Sequence, residues 1–370
     1  ILFTRPRRFG KTLNFSMLKY FLENPEARRL EVEKQDYEYL FKGLDIYKKD
    51  DFVKDHFGKY PVINFSFKKV KAEKWKYAKT AFKEEIAKEY LKHRYLLDTN
   101  ILLDFQKNKY RKIMGQEAEI FAYTSAIADL CQFLKKYHDQ KAIVLIDEYD
   151  TPLHYAKLNN YYDQMLDIMR ALMVDGMKGN KYLEKGIVTG IMKISQESIF
   201  SSFNNPKIST LTDSFAEDKF GFTESEIEEI LEYYNMQSYQ EEIEEWYNGY
   251  LFGGDTVIYN PWSVLSFIDN EDHRPQPYWI NTGDTSLIKQ SLQLDEATGK
   301  NYIEKLLKGE ILEKTVEQNI VYEDVFNNVE KALSYLLHAG YLKAKRKSRE
   351  EDKFLLSIPN RETTQIYKNI

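Results

Sequence analysis

The first fifteen residues read ILFTRPRRFGKTLNF (residues 1–15), an apolar segment followed by a short basic loop and then Gly-Lys-Thr. A loop that binds phosphate between a strand and a helix has the pattern G-x-x-x-x-G-K-[ST]. Residues 5–12 read RPRRFGKT, and Arg5 stands where the first glycine of the pattern belongs. Pro6 has the fixed φ that suits a tight corner, so it is expected to supply the turn. Alone, this stretch is compatible with two interpretations: a phosphate-binding loop, or a basic corner between a strand and a helix.

The second half of the loop supplies the groups that phosphate binding requires. Lys11 is expected to be exposed and to neutralise charge on the β- and γ-phosphates, in a binding and a catalytic role. The Thr12 hydroxyl is expected to bind Mg²⁺. The groups around the nucleotide are predicted to come from Arg7, Arg8, Phe9, Gly10, Lys11, Thr12 and Leu13. The helix after the loop is predicted to bury one face, formed by Leu13, Met17, Leu18, Phe21 and Leu22.

A second motif, KAIVLIDEYDTPL (residues 141–153), places Asp147 and Glu148 where an apolar strand ends. Ligands of open α/β sheets bind at the carboxyl ends of the strands. There an aspartate can bind Mg²⁺, and an adjacent glutamate can orient and deprotonate water. Taken alone, such a motif is more commonly a buried strand that runs into an acidic surface turn. The two motifs together, a Walker A and a Walker B pattern in the right order, predict ATP binding with Mg²⁺ bound by Thr12 and Asp147, and Glu148 as the catalytic base.

Short apolar segments rich in β-branched residues alternate with helical patterns up to about residue 215. These segments predict buried parallel strands, and they are ILFT (1–4), YPVINFSF (60–67), AIVLID (142–147) and GIVTGI (186–191). One long helical pattern between them covers residues 119–138. The sequence therefore predicts an α/β fold, a P-loop NTPase whose parallel sheet is flanked by helices.

The pattern changes near residue 216, where a helical region is predicted to begin. Thr223 and Glu226 form a capping box, and Asn260 followed by Pro261 marks the start of a second helix. Near the end of the sequence a helix closed by Gly340 is followed by two strand patterns around a charged turn, which favours a winged helix. We therefore predict three domains: an ATPase domain (1–215), a helical lid (216–320) and a winged-helix-like region (321–370).

Composition limits the possible classes of protein. The net charge is −5, so binding of a polyanion by bulk charge is excluded, and Cys131 is the single cysteine, which excludes an internal disulfide. A reducing, cytoplasmic location is expected. No run approaches the roughly 18–20 apolar residues of a membrane span. The chain begins inside an apolar stretch, so its start is expected to be truncated, and scattered histidines predict no metal site beyond nucleotide-bound Mg²⁺.

Seven motifs in order resemble the predicted AAA-ATPase-like family, whose relatives are the archaeal-type and STAND P-loop ATPases. They span residues 2–360 and read LFTRPRRFGKT, VLIDEYDTPL, VTGIMKISQESIFSSFNN, GFTESEI, WYNGYLF, YNPWSVL and LSIPN. In that family the arginine-rich loop is the usual form, so the resemblance implies that Arg5 is no defect. Members commonly continue into a PD-(D/E)XK nuclease-like domain, which this chain stops before. The resemblance therefore implies a possible nucleic-acid partner, bound through that missing domain.

The resemblance also directs attention to weaker candidates. Thr189, late in the strand GIVTGI, could contact the γ-phosphate or the attacking water as a catalytic sensor, or could be an ordinary strand residue. Lys193 and Arg7 or Arg8 could stabilise charge in the transition state, although solvated basic residues are the commoner case. Asp150 could join the Mg²⁺ ligands, or could simply shape the turn with Tyr149.

Two functions stay open at this stage. The first is Mg²⁺-dependent ATP hydrolysis that drives a conformational switch, and the second is a nucleotide-gated adaptor without turnover that binds nucleic acid or a protein. The segment KAKRKSREEDK (residues 343–353) could place Lys345 and Arg346 on DNA, but the acidic residues beside them favour a solvated hairpin tip. The oligomeric state is not predicted.

Overall fold

The structure, a computed structural model, describes residues 1–28, 37–194, 206–279, 296–320, 325, 328–347 and 353–368. The chain divides into two compact units. The first unit contains the described parts of residues 1–2, 12–190 and 197–207, and the second contains those of 3–11, 191–196 and 208–370. The boundary between the units therefore falls inside the basic loop's own sequence, after Lys11.

A five-stranded parallel sheet confirms the predicted α/β fold. Its strands are β1 (Leu2–Thr4), β2 (Val62–Ser66), β3 (Ala142–Asp147), β4 (Leu183–Gly190) and β6 (Ile208–Ser209), in the order β2-β3-β4-β1-β6. All six residues of β3 are buried, as the apolar sequence of this strand predicts. Strand β4 begins three residues before the predicted segment, because Leu183 and the exposed Lys185 also pair with β3, with a register shift at Glu184 between them.

Eight α-helices of the first unit flank this sheet in the described residues. They are α1 (Lys11–Leu22, of which Lys11 belongs to the second unit), α2 (Asp50–His56), α3 (Trp75–Lys92), α4 (Asp104–Met114), α5 (Ile120–Thr124), α6 (Ala126–His138), α7 (Thr151–Leu158) and α8 (Tyr162–Met177). The helical pattern over 119–138 is thus two helices. They separate at Ser125, whose hydroxyl donates to Ala122 O and Asp129 Oδ2 and so competes with regular helix bonding.

The predicted buried face of α1 is wrong in part. Leu13 is 65% exposed and Met17 is 42% exposed, whereas Phe15 and Phe21 are buried. The packed face of α1 is therefore rotated relative to the predicted face. Aromatic side chains remove more apolar area from water than leucine or methionine, and Phe21 packs edge-on against Phe41 and Phe57.

The second unit contains six further helices and seven strands among its described residues, besides β6. The helices are α9 (Glu224–Tyr233), α10 (Gln240–Tyr247), α11 (Pro261–Asp269), α12 (Glu296–Leu307), α13 (Val329–His338) and α14 (Arg361–Lys368). The strands are β5 (Lys193–Ile194), β7 (Tyr250–Phe252), β8 (Thr256–Ile258), β9 (Leu312–Thr315), β10 (Asn319–Ile320), β11 (Lys343–Arg346) and β12 (Lys353–Ser357).

The predicted helix starts in this unit are confirmed. The Thr223 hydroxyl accepts from Glu226 N while the Glu226 carboxylate accepts from Thr223 N, which is a complete capping box for α9. Asn260 accepts from the backbone N–H groups of Trp262 and Ser263 at the start of α11. Helices α9, α10 and α11 then bury a common core made of Ile227, Leu231, Met236, Ile243, Tyr247, Tyr259, Val264 and Phe267.

The last described part of the chain is a helix followed by a small antiparallel sheet. Helix α13 ends at His338 and is closed two residues later by Gly340, which has φ +89°, and Tyr341 N donates to Leu336 O. Strands β11 and β12 then form a hairpin, and β9 pairs with β12 in the order β11-β12-β9. A helix followed by such a hairpin is compatible with a winged helix. The winged-helix assignment and the boundaries at residues 215 and 320 stay predictions.

Candidate functional site

Arg5 is a structural residue of the basic loop. Its side chain is fully buried in the second unit, where Nη1 donates to Thr4 O, Ser209 O and Thr210 O, and Nη2 donates to Ala216 O and Ser209 Oγ. Burial lowers the pKa of the guanidinium to about 10, and the nearby carboxylates of Asp213 and Glu217 oppose that change. The arginine at the first glycine position therefore ties the loop to residues 209–216.

The middle of the loop contains two residues in a left-handed backbone conformation. Arg8 has φ +70° and Gly10 has φ +79°, and such conformations are uncommon for a residue with a side chain. Between them Phe9 is fully buried against Tyr250 and Phe252, so its side chain anchors the loop and only its backbone could contact a ligand. The Arg8 guanidinium lies 4.3 Å from the centre of the Trp262 ring.

The expectation that Lys11 is exposed is wrong. Only 6% of Lys11 is exposed, and Nζ donates to Arg5 O at 2.8 Å and to Pro6 O at 2.7 Å. An ammonium needs acceptors when it leaves water, and the loop's own carbonyl groups provide them. The lysine thus closes the loop on itself, with its charge turned toward the interior of the loop.

In the first unit, three predicted site residues form one hydrogen-bonded group at the end of β3. Thr12 Oγ1 donates to Asp147 Oδ2 at 2.7 Å, and Thr189 Oγ1 donates to Asp147 Oδ1 at 2.5 Å. Thr189 reaches Asp147 because β4 lies parallel beside β3 in the sheet. The Asp147 carboxylate is only 2% exposed, so both hydroxyl groups fix its orientation.

Glu148 follows in a strained backbone conformation, with φ +53°. Non-glycine residues in this region cluster at functional sites, where the surroundings hold them in place. Here Glu148 N donates to Thr189 Oγ1 at 3.4 Å, and Tyr149 N donates to Thr189 O. Glu148 is half-buried whereas Asp147 is buried, so two adjacent carboxylates have different surroundings.

Two residues of this turn were not predicted from the sequence. The Thr151 hydroxyl donates to Glu148 Oε2 at 3.1 Å, and the only sequence signal for this contact is a threonine three positions after the glutamate. Gly190 lets β4 approach the turn, because a Cβ there would lie 2.6 Å from the Tyr149 ring. Asp150 is buried at the start of α7, which places its backbone O as the acceptor of His154 N.

The oxygen atoms of Thr12 and Asp147 suit Mg²⁺, which prefers oxygen ligands and commonly takes one or two from protein and the rest from water and phosphate. Within the described ranges, no group of three or more His, Cys, Asp or Glu side chains is placed to hold a metal ion. A small ligand set of this kind fits an ion that arrives with a nucleotide. The oxygen atoms of Thr12 and Asp147 are therefore chemically suited to Mg²⁺.

The remaining candidates have separate positions. Lys193 lies in β5 of the second unit, paired with β10, and Leu13 points its exposed side chain away from the packed face of α1. Arg7 is half-buried in the loop. Residues 195–205 of the quoted motif VTGIMKISQESIFSSFNN lie outside the described residues.

Comparison with known proteins identifies the family. The family model described as predicted AAA-ATPase matches residues 1–200 of the chain. The chain belongs to this AAA-ATPase-like family. Membership points to nucleotide binding and suggests ATPase activity.

One curated relative and the solved structures complete the comparison. The chain is 23% identical over 304 residues to an uncharacterized protein in the vnfD 5' region of Azotobacter chroococcum mcd 1, and the match covers 77% of this chain. The chain spans about half of that relative, since the match covers 48% of its length. No solved structure matches. None of the helices in the described part of the chain has the length and apolarity that a membrane span requires.

Proposed function

We propose that this chain binds ATP with Mg²⁺ and hydrolyses it by attack of water on the γ-phosphate, and that the reaction drives a conformational switch. One observation supports this proposal above the others. Thr12, directly after Gly10 and Lys11 in the loop sequence, is hydrogen-bonded through its hydroxyl to Asp147, which is in turn hydrogen-bonded to Thr189. A basic corner and an unrelated acidic turn have no reason to share such a group.

In this proposal Thr12 and Asp147 hold the metal ion. When bound there, Mg²⁺ would supply positive charge against the negative charge that develops on the phosphates during transfer. The Thr12 hydroxyl would turn an oxygen lone pair toward the ion, and Asp147 would supply its carboxylate. Thr189 keeps Asp147 oriented because it donates to the other carboxylate oxygen.

Glu148 is the proposed base. Its Oε2 accepts from the Thr151 hydroxyl, which fixes the side chain and leaves Oε1 to accept a proton from the attacking water. The proton moves from the water oxygen to Glu148 as the water oxygen bonds to phosphorus and the bond to the leaving phosphate oxygen breaks. The Thr189 hydroxyl would also help to hold the turn that carries Glu148, because it accepts from Glu148 N.

Lys11 must change partners when the nucleotide binds. Its ammonium donates to two neutral carbonyl groups of the loop, and phosphate oxygens are stronger acceptors for a cation. The exchange would open the loop so that its backbone N–H groups, from Arg7 to Leu13, could face the phosphates. Arg7 and Arg8 would add positive charge near them.

Three parts of this proposal concern the wider protein. Residues 216–320 would form the lid, and residues 321–370 the winged helix. ATP is proposed over GTP because the sequence contains no guanine-reading N-K-x-D stretch. A cytoplasmic location suits the buried thiol of Cys131, whose pKa burial raises to about 12.

A matched pair of variants tests the function. Thr12→Ser keeps the hydroxyl and Thr12→Ala removes it. We expect wild type and Thr12→Ser to bind a fluorescent ATP analogue more tightly with Mg²⁺ than with EDTA, and Thr12→Ala to lose that difference. Phosphate release is measured in parallel. Binding without any phosphate release would favour the adaptor, and equal binding by all three proteins with and without Mg²⁺ would contradict the proposal.

A further inference from the structure

The acidic residues of this chain are concentrated in one segment. Residues 220–272 contain thirteen Asp and Glu residues and no Lys or Arg, although the whole chain has a net charge of only −5. All but Glu224 are exposed. Within the described residues, Glu245 is the single member of this set in an ion pair, with Arg361. The segment is therefore a strongly negative surface in a chain whose remainder is net positive.

The same segment contains an apolar groove, here called the α11 groove. It has a volume of about 620 Å³ and lies along the outer face of α11 and the end of α9. Helix α11 has two apolar faces: Val264 and Phe267 are in the core, whereas Trp262 and Leu265 are 40% and 46% exposed. The residues that line the groove include Tyr234, Met236, Trp262, Leu265, Ile268 and Asp269.

Spacing along α11 suits the docking of an extended or helical segment. Trp262, Leu265 and Asp269 recur at intervals of three and four, so they form one stripe on the helix. Two apolar side chains begin the stripe, and a carboxylate ends it. Such a stripe matches a partner that offers apolar side chains in one row and a cation beside them.

The contact between Arg8 and Trp262 indicates that the edge of this groove favours positive charge. Its guanidinium lies 4.3 Å from the centre of the Trp262 ring, an arrangement that is favourable because the face of an aromatic ring is negative. The Asp269 carboxylate, which lines the groove, adds to that preference. Anionic partners, such as nucleic acid or an acidic membrane surface, would be repelled by the same residues.

We propose that the α11 groove is a docking site for a basic, amphipathic segment of a partner protein. Apolar side chains of the segment pack on Trp262 and Leu265, and its Lys or Arg residues face the exposed carboxylates of residues 220–272. This proposal does not require ATP hydrolysis, although Trp262 also contacts Arg8 of the basic loop. Its charge complementarity should increase the rate of association and the selectivity for basic partners.

The test uses a short synthetic peptide with leucine on one helical face and lysine on the other, labelled with fluorescein. Binding to the whole chain is followed by fluorescence anisotropy at low and high salt. Two control peptides have glutamate in place of lysine, or the original residues in scrambled order. We expect the basic amphipathic peptide to bind more tightly than both controls, and its binding to weaken with salt.

Two variants with the same charge change locate the site. Leu265→Asp in the groove should weaken peptide binding by roughly tenfold or more, whereas Leu103→Asp, at another exposed leucine in the first unit, should not change it. If Leu265→Asp does not fold, Asp269→Lys at the exposed end of the stripe replaces it, with the same expected loss. Thermal unfolding of each protein establishes that it is folded.

Several results would overturn the proposal. They are absence of binding by the wild type, equal binding of the scrambled or acidic peptide, and equal affinities for Leu265→Asp and Leu103→Asp. Sedimentation of the wild type tests whether a second copy of this chain occupies the groove. If the chain forms a dimer that Leu265→Asp abolishes, a second copy occupies the groove and the proposed partner is wrong.

Discussion

The Thr12 hydroxyl donates a hydrogen bond of 2.7 Å to the Asp147 carboxylate, between residues 135 positions apart in the sequence. Asp147 also accepts from Thr189, so both of its oxygens have a hydroxyl partner. A buried carboxylate that accepts from two hydroxyl groups is held in one orientation. Glu148, one residue later, has a different partner, the Thr151 hydroxyl.

Asp147 and Glu148 are expected to have separable effects. Asp147→Ala should weaken Mg²⁺-dependent ATP binding and hydrolysis together, because it removes a proposed metal ligand. Glu148→Gln should retain binding but lower the rate of phosphate release by about 10² to 10⁴, the usual contribution of a general base. Phosphate release and ATP affinity are measured for wild type and both variants at saturating Mg²⁺.

The result would contradict the assignment of Glu148 if wild type binds ATP yet releases no more phosphate than Glu148→Gln. The adaptor would then be the better description, unless a partner that supplies an arginine restores turnover. Thr151→Val, which removes the hydroxyl beside Glu148 and keeps the branched shape, serves as an intermediate case.

Lys11→Ala should abolish ATP binding and also lower the stability of the protein. The variant loses two hydrogen bonds from a buried ammonium, to Arg5 O and Pro6 O, and we expect the free energy of unfolding to fall by about 2 kcal/mol. Lys135→Ala, which removes the exposed ion pair between Lys135 of α6 and Asp139, is the control. It should change neither the affinity for ATP nor the free energy of unfolding. ATP titration and urea unfolding measure the two effects, and unchanged affinity would exclude a phosphate-binding loop.

Arg5→Gly restores the first glycine of the phosphate-loop pattern but should damage the protein. Five hydrogen bonds that Arg5 donates disappear, and their acceptors lose a buried partner. We therefore expect the free energy of unfolding to fall by about 3–5 kcal/mol. Arg8→Gly is the matched control, because Arg8 has φ +70° and its side chain is exposed. Glycine should be tolerated there with little change in stability. Equal urea midpoints for the two variants would show that Arg5 has no structural role.

Glu362 should make the stability of the second unit depend on pH. It is fully buried in α14, accepts from the Ser263 hydroxyl at 2.9 Å and from Trp279 N at 2.7 Å, and burial raises its pKa to about 7 from 4.5. Between these values the folded state binds more protons than the unfolded state. The free energy of unfolding should therefore fall as the pH rises from 4.5 to above 7, by about 3 kcal/mol.

Glu362→Gln should remove this decrease, because the neutral amide can keep both hydrogen bonds. Urea unfolding at several pH values compares the two proteins. Glu310→Gln, at an exposed glutamate, is the control that should retain the wild-type profile. A variant profile with the same slope as the wild type would show that Glu362 does not cause the pH dependence.

The basic segment around β11 is expected to bind duplex DNA weakly or not at all. Lys347 and Lys353 both contact Glu313, and the Arg346 guanidinium lies 5.2 Å from the centre of the Phe354 ring. Arg349 and the acidic residues 350–352 lie outside the described residues. Binding that falls steeply with salt and disappears when Lys345 and Arg346 are changed to glutamate would establish a DNA-binding wing instead.

Local sequence signals predicted much of the fold. Strand β3 has the predicted bounds because its apolar residues are continuous, and the caps at Thr223, Asn260 and Gly340 act within four residues of their own position. The proximity of Asp147 and Thr12 was predicted from two motifs that occur in the expected order along the sequence. In each case the chemistry that decides the structure is adjacent in sequence or belongs to a recurrent pattern.

Other features depend on partners that the sequence does not place. Arg5 is buried because acceptors more than 200 positions away meet it, and Lys11 is buried because the loop folds back on its ammonium. Periodicity could not choose between Leu13 and Phe15 as the packed residue of α1. The strained backbone of Glu148 likewise has no local signal, since no glycine marks it.

The position of Phe9 determines how the second unit can be dissected. Its buried ring packs with Leu211, Phe220, Tyr250, Phe252 and Ile258, yet it is encoded about 200 codons before them. A gene fragment that begins at residue 208 would lack this ring and leave a cavity of the kind that costs about 3–5 kcal/mol. A synthetic peptide of residues 3–11 should therefore bind such a fragment and restore its stability, as in fragment complementation.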